Sequence, residues 1–175
     1  TRIGTDFRIG PTDGTAGITL VGSSSVDAKH PVYDPRTNYL LSRDAGVTPA
    51  GIVIYSVHGE RIDYHFKVNL PSGVGNGHFV MTDKGQILYS YIDGAFGNGK
   101  QIIGTFNDDR DYVTWSAATT YSTNADNMGG QPRIVKSDDG EVIHIFYTGS
   151  SGNEDGAMNT SQTATTALTE DNFLG

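Results

Sequence analysis

Apolar and polar positions along the chain follow the pattern of short strands joined by tight turns. β-branched and aromatic residues are enriched in short runs such as 52–55 and 61–66, and glycine, aspartate and asparagine cluster between the runs. No long segment shows an apolar period of 3.6 residues. The pattern therefore predicts strands throughout and little or no helix.

One strand–turn–strand unit repeats along the chain. The two clearest copies cover residues 78–91 and 133–147, and a looser copy covers residues 32–41. Their turns carry the acidic residues Asp34, Asp83 and Asp138, which are 49 and then 55 positions apart. A period of about 50 residues built from strands is typical of propeller blades or a similar array.

Each copy is predicted to contain up to four strands. In the first copy they cover 31–34, 38–43, 51–57 and 60–68. In the middle copy they cover 78–82, 86–92, 100–106 and 111–117. In the third copy they cover 133–136, 141–147 and 156–160. The predicted fold is all-β, with consecutive four-stranded antiparallel blades in a β-propeller-like arrangement that is incomplete in this chain.

Three regions follow from this division. Residues 1–29 are interpreted as strands of a preceding blade or a closing strand, and residues 30–160 as about three blades. Residues 161–175 are interpreted as a polar linker leading to a further β-repeat. The N-terminus has neither an initiator methionine nor a signal peptide, so we expect the chain to be part of a longer protein.

Composition excludes several classes of function. The 175 residues carry a net charge of -8, which argues against binding to nucleic acid or to an anionic membrane. No apolar run approaches the ~20 residues needed to insert across a bilayer. There are no cysteines, so disulfides, thiolate metal sites and cysteine nucleophiles are excluded.

The hairpin at 107–115 resembles the Asp box of the BNR β-propellers, a group that includes sialidases and several polysaccharide lyases. It keeps the aspartate and Thr114-Trp115, but it lacks the glycine and has one extra residue. His30-Pro31 and Gly77-His78 are similar to the histidine-bearing first strands of a lyase-like branch. The resemblance implies a propeller fold and a role in carbohydrate recognition or cleavage.

Residues 168–175 resemble a segment that recurs in tail-fibre and other virion proteins of tailed phages. This resemblance implies an extracellular location in the virion, where the partners would be other copies of the chain or other virion proteins. A host surface polysaccharide would be the ligand.

The equivalent positions in the repeat suggest a ligand site. Aligning the turn aspartates places Lys29, His78 and Arg133 at one position, five residues before each aspartate. These groups are predicted to converge on one anionic ligand, such as a uronate or sialate carboxylate, for which the arginine fork is best suited. The alternative is that they are polar residues lining a wet channel.

A loop predicted at 118–130 adds further candidate ligand contacts. Its residues Tyr121, Asn124 and Asp126 could stack on a sugar or form hydrogen bonds to it. Two other loops, containing Asp93 and Asp155, offer oxygen ligands but lack the EF-hand spacing. We interpret them as ordinary turns and predict no cofactor and no metal, with calcium at Asp93 or Asp155 as the alternative.

No catalytic residues are predicted. A sialidase needs three arginines, a tyrosine nucleophile with its glutamate and an acidic aspartate, and this set cannot be assembled from the sequence. The predicted function is therefore a structural or receptor-binding part of a phage tail fibre or spike. The alternatives are a BNR-type glycosidase or polysaccharide lyase fragment, and a calcium-stabilised lectin-like module.

Apolar residues inside the strand patterns predict the core between blades. The expected core residues are Phe79, Ile87, Trp115, Val135, Ile143 and Ile145.

Overall fold

The computed structural model describes residues 5–9, 19–24, 28–44, 49–59, 61–94, 98–122, 128–136, 142–148 and 155–161. The surroundings of side chains are described for residues 30–44, 49–59, 61–94, 98–121 and 132–136. Within these ranges the chain forms strands and turns and no helix. The predicted all-β fold is therefore confirmed.

The strands are β1 (Thr5–Ile9), β2 (Thr19–Ser24), β3 (Ala28–Asp34), β4 (Tyr39–Asp44), β5 (Gly51–His58), β6 (Arg61–Asn69), β7 (Gly77–Met81), β8 (Ile87–Ile92), β9 (Gly99–Phe106), β10 (Val113–Trp115), β11 (Thr119–Ser122), β12 (Met128–Lys136), β13 (Val142–Thr148) and β14 (Asp155–Ser161). Their bounds agree closely with the strands predicted for the first and middle copies of the repeat. Asp34 ends β3 and Asp83 lies in the turn between β7 and β8, as predicted for the hairpin tips. Asp138 lies outside the described residues.

The chain divides into two compact units, Thr1–Leu70 and Pro71–Gly175. The predicted limits of the blade region at residues 29 and 160 stay a prediction, because residues 25–27 and 162–175 lie outside the described residues.

The first unit contains a four-stranded sheet in the order β3-β4-β5-β6, and β1 pairs with β2 in a separate two-stranded sheet. All neighbouring strands are antiparallel, so the four-stranded sheet is a meander. Leu41, Ile52 and Ile54 are fully buried on one face of this sheet. The first copy of the repeat thus forms one blade-like sheet.

The second unit contains the middle copy, with strands β7, β8 and β9 in sequence order. The predicted fourth strand is divided into β10 and β11, which both pair with β9. Trp115 pairs with Gly104 and Thr119 pairs with Gln101, so three residues between the two pairs face two on β9. This extra residue is a β-bulge, and it divides the strand.

The third copy forms the three-stranded sheet β12-β13-β14. Within the second unit, β12 lies against β7 and β8. Ile134 on β12 packs into a cluster with Val80 and Leu88, and Ile103 packs against this cluster. The apolar packing of β12 on β7 and β8 is the described contact between two successive blades, and it is called here the blade contact.

The predicted core is partly correct. Phe79 and Ile87 are fully buried, as expected, while Ile143 and Ile145 lie outside the residues with described side chains. Trp115 is half-buried, and its ring crosses Gly104 so closely that a β-carbon there would be 2.8 Å from Cζ3. Val135 was predicted to be buried, and this is wrong, because its side chain is 46% exposed. Successive residues of a strand point to opposite faces, so Val135 faces away from the side on which Ile134 is buried.

Candidate functional site

Lys29, His78 and Arg133 lie on the first strands of three successive sheets, β3, β7 and β12. In each sheet, a valine nearer the tip pairs with the second strand, and the three pairs are Val32–Leu41, Val80–Leu88 and Val135–Ile143. The candidate residues pair two positions further along the second strand, as Lys29–Arg43, His78–Ser90 and Arg133–Ile145. The backbone pairing therefore gives the three residues equivalent positions.

The first sheet keeps this equivalence only because β3 contains an irregularity. The register of β3 and β4 shifts between Lys29 and Val32, which inserts one residue more than in β7. His30 lies in this insertion with φ of 55°, directly before Pro31. Positive φ is uncommon for a residue with a side chain, and histidine is among the residues that adopt it more often.

His78 is half-buried and lies at the edge of the blade contact. Its Nδ1 accepts a hydrogen bond from the backbone N–H of Ile134, with 3.4 Å between the nitrogens. A ring nitrogen that accepts carries no proton, so the proton of the neutral ring is on Nε2. His78 therefore links two sheets through one nitrogen and has a donor on the other.

Arg133 is exposed on β12, next to Ile134. Because Ile134 packs toward β7 and β8, the alternation of the strand directs Arg133 to the other face of β12. The structure thus places His78 against one face of β12 and the side chain of Arg133 on the opposite face of that strand. The Lys29 side chain lies outside the described side chains.

Tyr121 was predicted to lie in a loop at 118–130, and the structure corrects this. Strand β11 includes Tyr121, and β12 begins at Met128. The Tyr121 side chain is buried and passes over Gly99, where a β-carbon would be 2.5 Å from its Cε2. Any side chain at position 99, even that of alanine, would therefore displace the ring. Asn124 and Asp126 lie outside the described residues.

The Tyr121 hydroxyl is held inside the sheet. Ser90 Oγ donates to Tyr121 Oη at 3.0 Å, and both side chains are buried. Burial raises the pKa of Tyr121 to about 12, although the hydrogen bond from Ser90 acts in the opposite direction. The phenol therefore stays protonated at neutral pH.

Most carboxylates with described side chains are engaged by a basic residue. The ion pairs are Asp34–Arg36, Asp44–Lys67, Asp63–Arg61, Asp83–Lys136 and Asp93–Lys100. Within the described ranges, no group of three or more histidine and acidic side chains could hold a metal ion. Calcium at Asp93 or Asp155 stays a prediction, since the side chain of Asp155 lies outside the described side chains.

An aromatic row crosses the first sheet and was missed in the sequence. Backbone pairing aligns Tyr33 with Leu40, Leu40 with Tyr55 and Tyr55 with Tyr64, so one residue of each strand lies in a line across one face. Tyr33 and Tyr64 at its ends are 49% and 65% exposed. Only the pairing register reveals this line, because its members are spread over more than 30 positions of the chain.

In the part of the chain that the structure describes, no helix is long and apolar enough to cross a membrane.

Comparison with known proteins finds similarity in structure and not in sequence. No family model matches the chain, and no curated protein matches it either. Among solved structures, one similar chain is the NanB sialidase from Streptococcus pneumoniae in complex with 2-[(3-chlorobenzyl)ammonio]ethanesulfonate. It has a TM-score of 0.54 and 12% identity over 85% of this chain and 24% of that chain. A second structure, NanB with optactamide, gives a TM-score of 0.55 and 11% identity with the same coverage.

The chain therefore spans about a quarter of the length of the sialidase chains it resembles. At this low identity the similarity concerns the fold alone. The fold is that of a sialidase β-propeller, built from consecutive antiparallel blades.

Proposed function

We propose that this chain is a β-propeller segment that binds acidic glycan along the first strands of its sheets and does not cleave it. The observation that carries the proposal is Arg133, an exposed arginine on a first strand, at the position equivalent to His78. A guanidinium group presents two parallel N–H donors that match a carboxylate, and such charge-assisted bonds are among the stronger ones in proteins.

The arrangement of the two residues suits an extended ligand. His78 lies at the edge of the blade contact, while Arg133 lies on the other face of β12. His78 and Arg133 lie on successive sheets. Successive sugars of a polysaccharide match this arrangement better than a single carboxylate that both side chains would have to bind. Lys29 is proposed as a third contact because of its equivalent backbone position.

The absence of cleavage is proposed from the chemistry of the described side chains. Glycoside hydrolysis needs two carboxyl groups at the bond, and a tyrosine nucleophile needs to lose its proton. Asp34, Asp44 and Asp83 each form an ion pair with an arginine or a lysine. The pKa of Tyr121 is raised to about 12. These features favour a binder over a glycosidase.

A carbohydrate-active enzyme fragment is the second candidate. It is favoured by the fold, which is shared with solved structures of a sialidase. The two candidates make opposite predictions about bond cleavage, so one experiment separates them.

The biological setting is proposed to be a tailed-phage virion, in a tail fibre or spike that contacts a host surface polysaccharide. The support is the resemblance of residues 168–175 to virion proteins, and these residues lie outside the described part of the chain. Antibodies against the chain should label fibres or spikes on purified particles by electron microscopy. Labelling of host cells without particles would contradict the virion setting.

The binding experiment uses the chain with sialylated and uronate-containing oligosaccharides in a calorimetric titration, with neutral oligosaccharides of the same length for comparison. We expect binding of the acidic ligands and a loss of roughly 1.5–3 kcal/mol in Arg133→Ala, the range for hydrogen bonds to charged groups. Arg61→Ala removes the same charge from an exposed ion pair and should leave the affinity unchanged.

Products are then analysed in the same samples. Unchanged oligosaccharides support a binder. New reducing ends or unsaturated uronate, lost in His78→Ala, would overturn the binding-only proposal and favour the enzyme. Equal affinities of Arg133→Ala and Arg61→Ala would show that Arg133 is not the contact.

A further inference from the structure

The outer strand of the first sheet, β6, contains a β-bulge. Tyr64 pairs with Tyr55 and Phe66 pairs with Ile54, so His65 is an extra residue that β5 does not match. Tyr64 packs edge-on against Tyr55, with 6.4 Å between the ring centres, and therefore lies on the Tyr55 face of the sheet. Bulges re-aim side chains and are over-represented beside functional sites.

His65 lies on the opposite face of the sheet, where it meets Tyr39 of β4. Tyr39 precedes Leu40, which pairs with Tyr55, so Tyr39 points away from the Tyr55 face. The ring centres of Tyr39 and His65 are 5.3 Å apart, and the Tyr39 hydroxyl lies 3.3 Å from His65 Nε2. His65 also packs against Phe66, with ring centres 5.1 Å apart. Since His65 is exposed and Tyr39 is half-buried, these rings present an aromatic surface to solvent.

Backbone pairing joins this aromatic surface to a carboxylate. Tyr39 pairs with Ser56, and Ser56 pairs with Asp63, so the three side chains form a row on one face of the sheet. The two ends of the row are separated by two strand spacings, roughly 9–10 Å. The central side chain is the smallest of the three and is half-buried. The row is therefore a shallow notch with a hydroxyl group at its floor.

Asp63 is held in place at one end of this notch. Arg61 Nε donates to Asp63 Oδ1 at 2.8 Å, and the Asp63 side chain is 37% exposed. A carboxylate has several acceptor positions, so Asp63 can accept further hydrogen bonds while it is paired with Arg61. The two charges of the pair cancel. We call Tyr39, Ser56, Asp63 and His65 the outer notch.

We propose that the outer notch binds one neutral sugar residue. A pyranose ring has an apolar C–H face that packs on aromatic side chains, which Tyr39 and His65 supply. Its hydroxyls donate charge-assisted hydrogen bonds to the Asp63 carboxylate, and the Ser56 hydroxyl can donate or accept. The cancelled charge of the Arg61–Asp63 pair favours a neutral sugar. This site is separate from the acidic-glycan site proposed at Arg133 and does not depend on it.

The test is an NMR titration of the isotope-labelled full chain with three neutral probes, the methyl glycosides of glucose, galactose and mannose. With at least one of them we expect saturable shifts at the backbone amides of Ser56, Asp63 and His65. The affinity should be weak, because a shallow notch buries little of the ligand. Glycerol has hydroxyls but no ring, and it should cause no saturable shifts at these amides.

Variants separate the contributions to binding, and the amide spectrum of each variant checks that it is folded. Asp63→Asn keeps the shape of the side chain and removes its charge, so the affinity should fall about tenfold. His65→Ala removes the exposed ring and should abolish detectable binding, whereas His65→Phe restores an aromatic ring and should bind. The matched control is Asp111→Asn, at an exposed aspartate beside the exposed Tyr112, and it should bind like the unchanged chain.

No saturable shift at these amides with any of the three glycosides overturns the proposal, as does unchanged affinity in both Asp63→Asn and His65→Ala. Equal shifts with glycerol would also overturn it, because the sugar ring would then play no part. Arg133→Ala should leave binding of the glycosides unchanged, and a loss in that variant would place the sugar away from the outer notch. Failure at the outer notch is thereby distinguished from failure of the acidic-glycan site.

Discussion

Asp34 and Asp83 are the aspartates at the tips of two successive hairpins, and their surroundings differ. Asp34 is 2% exposed and accepts hydrogen bonds from the backbone N–H of Arg36, from its guanidinium and from the Thr37 hydroxyl. Asp83 is 64% exposed, and its carboxylate reaches Lys136 on the following sheet. One acidic tip thus holds its own turn together, while the other links two sheets.

The side chains at the start of each turn explain this difference. In the second hairpin, Thr82 has the capping role, because its hydroxyl accepts from the backbone N–H of Gln86 and its carbonyl accepts from Gly85. In the first hairpin that role falls to Asp34. Once Thr82 closes the turn, Asp83 is one position further out and can face the neighbouring sheet. An acidic residue at a repeated position is therefore not evidence of a repeated function.

The first prediction tests how strongly the sheet containing β7 and β8 depends on its packing against β12. Ile134→Ala removes a fully buried side chain from the blade contact, and truncation of buried isoleucine typically costs about 2–5 kcal/mol. Urea unfolding followed by circular dichroism measures the loss. Ile134→Val should cost about 0.5–1.5 kcal/mol, and equal small losses for both variants would contradict the described packing.

The second prediction concerns the self-contained tip. Asp34→Ala leaves the Arg36 and Thr37 donors without their acceptor, so we expect the free energy of unfolding to fall by roughly 1–3 kcal/mol. Asp83→Ala is the matched control at the other tip. A larger loss for Asp83→Ala than for Asp34→Ala would reverse the comparison.

The third prediction follows the same aspartate with pH. Burial acts to raise the pKa of Asp34, but the hydrogen bonds from Arg36, its charge and Thr37 outweigh burial and lower it below 3.8. The unfolded chain therefore binds more protons near pH 3.8, so stability present at neutral pH is lost as the pH falls through the folded pKa. Asp34→Asn should show a shallower loss of stability below about pH 4. Identical acid unfolding curves would show that Asp34 makes no such contribution.

The smallest effect is expected at the tip that links two sheets. The Asp83–Lys136 pair is exposed on both sides, and surface ion pairs contribute roughly 0.2–1 kcal/mol. A double-mutant cycle with Asp83→Asn and Lys136→Met, repeated at high salt, isolates this coupling. A coupling that is unchanged by salt would mean that the pair is better shielded from solvent than its exposure indicates.

The repeat and most strands could be predicted from the sequence, because turn residues and β-branched runs are local signals. The bulge that divides β10 from β11 could not, since it depends on how Thr119 and Trp115 pair with β9. The burial of Ile134 and the exposure of Val135 also escaped prediction, because both are apolar neighbours in one strand and only the position of β7 and β8 distinguishes them.

The candidate site shows the same limit. The equivalence of Lys29, His78 and Arg133 came from the spacing of the turn aspartates, and the backbone pairing agrees with it. Their convergence on one ligand stays a prediction, and the structure directs His78 and Arg133 to different sides of β12. Side-chain direction depends on the packing of a neighbouring sheet, which no local spacing contains.

The most direct test of the proposed glycan site is an NMR titration of the labelled chain with an acidic oligosaccharide. We expect the largest shifts at the backbone amides of Arg133 and Ile134 and at the ring of His78, and we expect them to saturate together. Saturable shifts confined to Tyr33, Tyr55 and Tyr64, or no shifts at millimolar ligand, would contradict it.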